Sequence, residues 1–317
     1  MARPMHNWEH IWNFLKTRLG IGSRRNIFGN IFPKNHFGNI FGKKKRDWIS
    51  KEREVINHFK EGFIRLYSTS QVKAKWNNSQ RTRWQVRLTE EERNSLDISV
   101  FKEEIATALW SLNAFKAPGP DGLYASFFLR FRLTVGDIVK EEVKQAFFQR
   151  KIPEYLNSTS IVLIPKIQSP KSIGSYRPIS LCNSVYKIIT KIIVGRLRLY
   201  LDKLIASCQA AFVPRRRGVD NAIIVQKLIH SMKKIKGKGG YMVLKIDLEK
   251  AYDKLEWSFI RDTLIRFNLL KNLIELIMSC ISSVSTSILF NGGALEPFMP
   301  TRRIRQGDPL SSYIFIM

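Results

Sequence analysis

The chain has 317 residues, of which 44% are hydrophobic and 11% aromatic, a composition that excludes an intrinsically disordered protein. Its 53 lysines and arginines stand against 26 aspartates and glutamates, which gives a formal net charge of +27 at neutral pH. So large an excess favours a polyanionic partner. Nucleic acid and an anionic membrane surface both fit, and basicity alone does not separate them.

The cysteines and the apolar segments indicate in which cellular compartment the protein resides. Cys182, Cys208 and Cys280 lie far apart without a C-x-x-C pair, which predicts neither a disulfide framework nor a zinc site and favours a reducing environment. The N-terminus has no continuous apolar segment typical of a signal peptide, and the apolar stretch 269–290 is interrupted by charged and polar residues. We therefore expect an intracellular protein, nuclear or cytoplasmic, that does not span a membrane.

The N-terminal half begins with a basic, low-complexity segment over residues 1–50. Its run Lys43, Lys44, Lys45 and Arg46 is either a weak nucleic-acid contact, a nuclear signal or a solvated group of charges. Apolar residues at helical spacing predict a helix from about residue 50, followed by a polar linker over 70–85. Helices are also predicted over 100–115 and 134–149. The loop 113–122 separates them, because its two prolines cannot continue a helix.

The C-terminal half alternates strands and helices. Strands are predicted over 159–165, 176–181 and 241–247, and helices over 184–205, 219–235 and 257–278. Along the first of these helices, Lys187, Lys191, Arg196 and Arg198 are predicted to face outward. Segments 284–290 and 296–304 flank Asn291-Gly292-Gly293, which indicates a β-hairpin. The pattern predicts an α+β protein with one mixed sheet covered by helices.

Asp247 is the first candidate for chemistry, since it ends the predicted strand 241–247. A carboxylate at such a position can hold a hard cation such as Mg²⁺. Taken alone, it is more simply a solvated aspartate before the next helix. The sequence around it, together with four other motifs, changes that interpretation.

Five motifs resemble those of reverse transcriptases, and they occur in the expected order. Residues 245–253 (KIDLEKAYD) resemble the first palm motif, in which an aromatic residue follows an aspartate by five positions. Residues 305–311 (RQGDPLS) resemble the second. Residues 117–122 (APGPDG) resemble the finger motif of LINE and group II intron enzymes. Residues 164–166 (IPK) with 176–180 (YRPIS) resemble the fingertip hairpin, and residues 209–214 (QAAFVP) resemble the linking segment of the same family. The chain is thus similar to the reverse transcriptase of a plant LINE-type (non-LTR) retrotransposon.

The resemblance implies a right-hand polymerase fold, of which this chain would hold the fingers and part of the palm. It implies RNA-templated DNA synthesis from deoxynucleoside triphosphates by two-metal nucleotidyl transfer, with Mg²⁺ or Mn²⁺ as cofactor. The implied partners are an RNA template, a DNA primer and dNTPs, without a membrane, and no protein partner is implied. The expected organisation is a basic segment at 1–50, helix and linker at 51–86, a helical fingers-side region at 87–158 and fingers with incomplete palm at 159–317.

The resemblance also implies individual roles. Asp247 would be the catalytic residue and would bind metal together with the backbone carbonyl of Leu248. The nucleotide-binding residues would be Lys166, Arg177, Tyr252, Gln306 and Gly307. Within this set, Lys166 and Arg177 would hold the triphosphate as a cationic clamp, and Tyr252 would exclude a ribose 2′-hydroxyl. Without the resemblance, the two cations are surface residues and Tyr252 is a core aromatic.

Two other aspartates are not expected to bind metal. A six-residue offset places Asp253 on a different face from Asp247 in a helix or a strand. Asp308, in the family motif, supports the loop.

The sequence contains no Asp-Asp pair, which the family supplies in an aromatic-Ala-Asp-Asp hairpin beyond the second palm motif. Two-metal chemistry needs carboxylates that span both ions. We therefore expect a chain truncated before that motif, with the thumb absent and no activity of its own. The alternatives are a catalytically inactive nucleic-acid-binding remnant and a degenerate transposon-derived product.

Overall fold

The structure, a computed structural model, describes residues 42–44, 47–49, 51–69, 86–234 and 241–317. Within them the chain forms twelve α-helices and six strands. The helices are α1 (Glu52–Leu66), α2 (Glu90–Leu96), α3 (Lys102–Trp110), α4 (Ala125–Arg130), α5 (Arg132–Gln149), α6 (Ser184–Leu197), α7 (Leu201–Leu204), α8 (Gly218–Lys234), α9 (Ala251–Lys254), α10 (Trp257–Arg266), α11 (Lys271–Ser282) and α12 (Ser311–Ile316). The strands are β1 (Gly42–Lys44), β2 (Asp47–Ile49), β3 (Ser158–Pro165), β4 (Tyr176–Cys182), β5 (Ser285–Phe290) and β6 (Gly293–Ala294).

A four-stranded mixed sheet with the order β4-β3-β5-β6 positions the site. Strands β3 and β4 are antiparallel, β3 and β5 are parallel, and β5 and β6 form a hairpin. Asn291 and Gly292 have positive φ values of 47° and 79°, the backbone that a two-residue hairpin turn needs. The predicted turn after β5 and the predicted mixed class with a helix-covered sheet are confirmed. The second arm of the hairpin is Gly293–Ala294, whereas the segment 296–304, expected to form it, contributes only an isolated bridge from Phe298 to Thr286.

Two hydrophobic clusters hold the helices on the sheet. The larger one is formed mainly by α5, α6, α10 and α11. The smaller one packs α1 against the sheet, with Phe59 and Phe63 buried beside Ile161, Tyr176 and Phe290. The helix predicted from residue 50 is therefore confirmed, and its apolar face covers the strands that carry the fingertip motif.

Helix α6 differs from the prediction in the burial of two of its basic side chains. Lys187 and Arg196 were expected to point into solvent, but both are buried. Lys187 donates to the carbonyl of Ala117 at 3.3 Å, and Arg196 donates to Glu104 at 2.9 and 2.8 Å and to backbone carbonyls before α3. A long cationic side chain can be buried where acceptors converge on its head, which helical periodicity alone does not reveal.

Two segments near the C-terminus also differ. The helix predicted over 257–278 is divided into α10 and α11 at a turn in which Asn268 has a φ of 64°. The strand predicted over 241–247 is wrong, because these residues form no strand and residues 241–249 are exposed. Backbone amides and carbonyls in a strand need a neighbouring strand, and no described strand pairs with this segment.

Glu104 gives a pH-dependent test of the packing between α3 and α6. Burial acts to raise its pKa, but the hydrogen bonds from Arg196 and from the Phe101 amide outweigh burial and hold the pKa below the ordinary value of 4.5. A depressed carboxyl pKa contributes stability above the unfolded value, and that stability is lost as the pH falls through the folded value. Glu104→Gln should therefore lower the unfolding free energy at pH 7 by about 1 kcal/mol.

The measurement is urea unfolding at pH 7 and again well below pH 4.5. The difference between Glu104→Gln and the parent should shrink at the acidic pH. Glu103→Gln, at the neighbouring exposed position, is the matched control and should change little at either pH. A Glu104→Gln loss that stays constant with pH would contradict the role of the ionised carboxylate.

Candidate nucleotide-binding site

A cavity of about 220 Å³ lies where the fingertip hairpin meets the first and second palm motifs. Its walls come from α1, from the β3–β4 hairpin, from residues 249–253 and from the segment before α12. The lining residues are Phe63, Leu66, Lys166, Ile173, Tyr176, Arg177, Pro178, Glu249, Lys250, Ala251, Tyr252, Asp253 and Gln306. Four of the five predicted nucleotide-binding residues are therefore brought together: Lys166, Arg177, Tyr252 and Gln306.

The β3–β4 hairpin places the two cations at the cavity. Ile164 lies opposite Arg177 in the antiparallel pair, and Pro165 lies opposite Tyr176. Directly after β3, the Lys166 amide donates to the Ser175 carbonyl at 2.8 Å, and its ammonium donates to the Gly174 carbonyl at 3.1 Å. Strand alternation buries Tyr176 and Pro178 and leaves Arg177 exposed between them. Both positive heads thus remain available to an anion in the cavity.

Tyr252 is half-buried, and its ring is held from the side of α12. It stacks on Phe315 with ring centroids 4.8 Å apart and an interplanar angle of 24°. Its hydroxyl lies 3.5 Å from the Ser312 hydroxyl, and its carbonyl accepts from the Ile304 amide at 2.9 Å. A ring fixed on one side can act as a rigid wall, which is what the exclusion of a 2′-hydroxyl requires.

Gln306 and Gly307 are fixed by β4. The Ser180 amide donates to the Gln306 carbonyl at 2.7 Å. Gly307 has a φ of +110°, and a Cβ built there would lie 2.8 Å from the Ser180 carbonyl oxygen. A glycine is therefore needed for the close approach to β4. Gly307 itself does not line the 220 Å³ cavity, and its approach to a nucleotide or template remains a prediction.

Asp247 and Leu248 also lie outside the walls of this cavity. Both are exposed and belong to the irregular segment before α9, so Asp247 does not stand at a strand end. In the part of the chain that the structure describes, no group of three or more histidine, cysteine, aspartate or glutamate side chains could hold a metal ion. The described residues by themselves do not make a complete divalent-metal site.

Nine of the thirteen cavity residues were not among the predicted site residues, and Phe63, Leu66 and Asp253 are three of them. Phe63 and Leu66 belong to α1, whose periodicity predicted a helix but not the surface on which it packs. Asp253 is buried in the cavity wall, and burial raises its pKa, while Arg303, Lys250 and further cations act to lower it. Its place inside the first palm motif was the available signal.

A second groove, of about 580 Å³, lies between α3, α6 and the start of α12. We call it the cationic groove, because Lys116, Lys191 and Arg198 line it. Phe212 and Tyr313 stand in its wall with ring centroids 6.4 Å apart. Burial lowers the pKa of Lys191, and the neighbouring cations Arg198 and Lys116 lower it further.

The cationic groove and the 220 Å³ cavity are neighbours in the chain. Gln306 lines the cavity, and the next residues, Gly307 and Asp308, line the groove.

Lys43 and Lys44 lie in the short strand β1, whereas Lys45 and Arg46 fall outside the described residues. In those described parts of the chain, no helix is both long and apolar enough to cross a membrane.

Comparison with known proteins shows which family the C-terminal half resembles. Residues 164–317 match the family model described as "Reverse transcriptase (RNA-dependent DNA polymerase)". Over these residues the chain is similar to reverse transcriptases. The mixed sheet, the helices and the shared cavity are consistent with the fingers and palm of such an enzyme. Reverse transcriptases are RNA-directed DNA polymerases, that is, nucleotidyltransferases, and as a family they use divalent metal ions.

Full-length relatives are proteins of non-LTR retrotransposons. The chain is 27% identical over 228 residues to the Transposon TX1 uncharacterized 149 kDa protein of Xenopus laevis, covering 72% of this chain and 17% of that protein. It is 26% identical over 218 residues to the Retrovirus-related Pol polyprotein from type-2 retrotransposable element R2DM of Drosophila melanogaster, covering 68% and 20%. An R2 polyprotein of Popillia japonica is 25% identical over 219 residues, covering 68% and 29%.

The chain therefore spans less than a third of the length of these relatives. The matches support a reverse transcriptase and do not favour the alternative of an inactive remnant. The plant origin and the truncation remain predictions.

Proposed function

We propose that this chain contributes the fingers and part of the palm to RNA-templated DNA synthesis in the replication of a non-LTR retrotransposon of the plant LINE type, within the nucleus or cytoplasm. The observation that carries the proposal is the 220 Å³ cavity. Three motifs that are distant in sequence supply its walls: the hairpin with Lys166 and Arg177, the segment with Tyr252, and the segment with Gln306. A single deoxynucleoside triphosphate can contact all three.

The chemistry of the walls suits a triphosphate. Lys166 and Arg177 are cations on the exposed side of the hairpin, and charge-assisted hydrogen bonds to phosphate are stronger than neutral ones. On the opposite side, the fixed ring of Tyr252 would meet the sugar and Gln306 the base. These roles place the phosphates towards the fingertips and the sugar towards α12.

The metal part of the proposal rests on Asp247. Its carboxylate and the Leu248 carbonyl are oxygen ligands of the kind that Mg²⁺ or Mn²⁺ prefers. When bound, such ions neutralise the triphosphate and activate the primer hydroxyl. The described residues do not gather the further carboxylates that this requires. Absence of DNA synthesis by residues 1–317 alone therefore remains our prediction.

Nucleotide binding is the direct test of the cavity. A fluorescent deoxynucleoside triphosphate titrated into the 317-residue chain should bind saturably, and Lys166→Ala with Arg177→Ala should weaken binding by about tenfold or more. Lys151→Ala combined with Lys144→Ala removes the same charge at exposed positions outside the cavity and should leave the affinity nearly unchanged. Equal losses in the two double variants would indicate general electrostatics and contradict the clamp.

We place the RNA template in the cationic groove. The groove offers three cations for phosphates and two aromatic rings on which bases can stack, the combination typical of single-strand binding. It adjoins the nucleotide cavity through consecutive residues, Gln306 and Gly307, so a strand in the groove can present its next base to the nucleotide.

A further inference from the structure

The end of α1 contacts the segment that joins both palm motifs. The Tyr67 carbonyl accepts from the amides of Thr301 and Arg302 at 2.9 and 3.1 Å, and the Leu66 carbonyl accepts from Arg302 Nε at 3.0 Å. The Thr69 amide donates to the Thr301 hydroxyl at 2.8 Å. This end of α1 lies well before residue 164, where the family match begins.

Residues 303 and 304 of this segment are hydrogen-bonded to the first palm motif and to the residues that follow it. The Arg303 amide donates to the Leu255 carbonyl and the Ile304 amide to the Tyr252 carbonyl, each at 2.9 Å. The Trp257 indole donates to the Arg303 carbonyl at 2.7 Å. The position of Tyr252 in the cavity is therefore set by residues 303 and 304.

The Arg303 side chain completes the connection. Its guanidinium carbon lies 3.9 Å from the centroid of the Tyr67 ring, and Nη2 donates to the Ser180 hydroxyl on β4 at 3.0 Å. Both Tyr67 and Arg303 are almost fully buried. A cation over an aromatic face is attracted by the ring quadrupole, most strongly where water is excluded. Arg303 thus connects Tyr67, at the end of α1, with Ser180 on β4.

Arg303 holds this place against its backbone preference. Its φ of +100° lies in a region that favours glycine, and Nε and Nη1 have no hydrogen-bond partner within the described residues. Such a residue persists only where the surroundings over-determine it. The eight hydrogen bonds of residues 301–304 named above, together with the Tyr67 ring, provide that constraint.

We infer that the C-terminal turn of α1 is a brace for the nucleotide cavity, in which Tyr67 acts as a positioning residue through Arg303. By fixing residues 301–304, the brace sets Tyr252 on one side and Gln306 on the other. Phe63 and Leu66 extend the same helix into the cavity wall. The consequence for nucleotide affinity rests on the proposed function, whereas the fixing of residues 301–304 does not.

The test uses Tyr67→Leu, which keeps an apolar side chain but removes the ring under Arg303. Hydrogen exchange at the amides of residues 301–304 should accelerate by about tenfold, and fluorescent dNTP affinity should fall about three- to tenfold. Amides in the middle of α11 should keep their exchange rates. Val55→Ala is the destabilising control, because Val55 belongs to the same buried cluster but lies about three helical turns before Tyr67. It should lower the thermal midpoint without selective exchange at 301–304.

Arg303→Met provides a second variant if Tyr67→Leu does not fold, and it should give the same selective exchange. In the double variant the two effects should not add, because either substitution alone removes the shared contact. If the parent chain binds no dNTP, the proposed function fails and hydrogen exchange alone decides the brace. Unchanged exchange at residues 301–304 in both single variants would overturn the inference, whatever the nucleotide result.

Discussion

Arg305→Met is expected to destabilise the chain by about 3–5 kcal/mol, because it leaves a buried carboxylate without its counter-ion. Arg305 and Asp308 are both buried, with Nη2 and Oδ2 3.2 Å apart. Arg305 also donates to Asn157 at 2.8 Å, to Thr159 at 2.9 Å and to the Cys280 carbonyl at 2.7 Å. A loss of this size is comparable with the lower end of the stability of a typical domain, about 5–15 kcal/mol.

The network around Asp308 explains why the second palm motif needs both charges. The Tyr186 hydroxyl donates to Asp308 Oδ2 at 2.6 Å, and the Leu310 amide donates to Oδ1 at 2.9 Å. The Arg305 guanidinium lies 4.1 Å from the centroid of the Tyr186 ring. Burial raises the pKa of the Tyr186 hydroxyl, which keeps it a donor to the carboxylate. Asp308 therefore supports the loop, in agreement with the role that the resemblance implied.

Urea unfolding followed by near-ultraviolet circular dichroism measures the loss. Arg261→Met, at an exposed position on α10, is the control and should change stability by less than about 0.5 kcal/mol. Combining Arg305→Met with Asp308→Leu should cost less than the sum of the two single substitutions, because no unpaired charge then remains. Additive costs would show that the two residues do not act as a pair.

Much of the fold was predictable because its signals are local. Apolar spacing placed α1, α3, α5 and α6, and Asn291-Gly292 placed the β5–β6 turn. The five motifs then predicted that Lys166, Arg177, Tyr252 and Gln306 would lie near one another, and the structure brings these four to one cavity. Position in a known motif carries long-range information that periodicity lacks.

What the sequence did not reveal depends on partners distant in the chain. Arg196 has the spacing of a solvent-facing residue, yet it is buried because it donates to Glu104, 92 positions away. Gly119 lies in the predicted loop 113–122, but the sequence does not reveal that a Cβ there would lie 2.4 Å from the Asn183 amide nitrogen, so that close packing requires the glycine. The sequence does not predict a role for Tyr67, because its ring contacts Arg303, 236 positions later in the chain.

The segment 241–247 shows the converse limit. Alternating apolar residues predicted a strand, and the alternation is present, but a strand forms only where another strand accepts its hydrogen bonds. Met242, Leu244 and Ile246 are exposed in the structure. Asp247 consequently lacks the strand-end position that its motif implies, and the local pattern could not supply the missing neighbour.

Reversing the charges of the cationic groove should produce the largest change in nucleic-acid binding. The chain with Lys116→Glu, Lys191→Glu and Arg198→Glu is expected to bind single-stranded RNA at least about tenfold more weakly at low salt. Neutralising phosphates releases counterions, so the slope of log affinity against log salt should also fall, by about 2 for three lost contacts. Burial lowers the pKa of Lys191, and repulsion from Arg198 and Lys116 lowers it further, so an RNA phosphate beside these cations should offset their repulsion.

Filter binding of a short unstructured RNA between low and high salt measures both quantities. Lys144→Glu, Lys151→Glu and Lys271→Glu form the matched control, since they change the net charge equally at exposed positions that do not line the groove. A specific groove predicts a large loss in the first triple variant and a small one in the control. Phe212→Ala should weaken binding further without changing the salt slope, because base stacking releases no counterions. Equal losses in both triple variants would show that RNA responds only to the overall charge, and the template would then have to lie elsewhere on the chain.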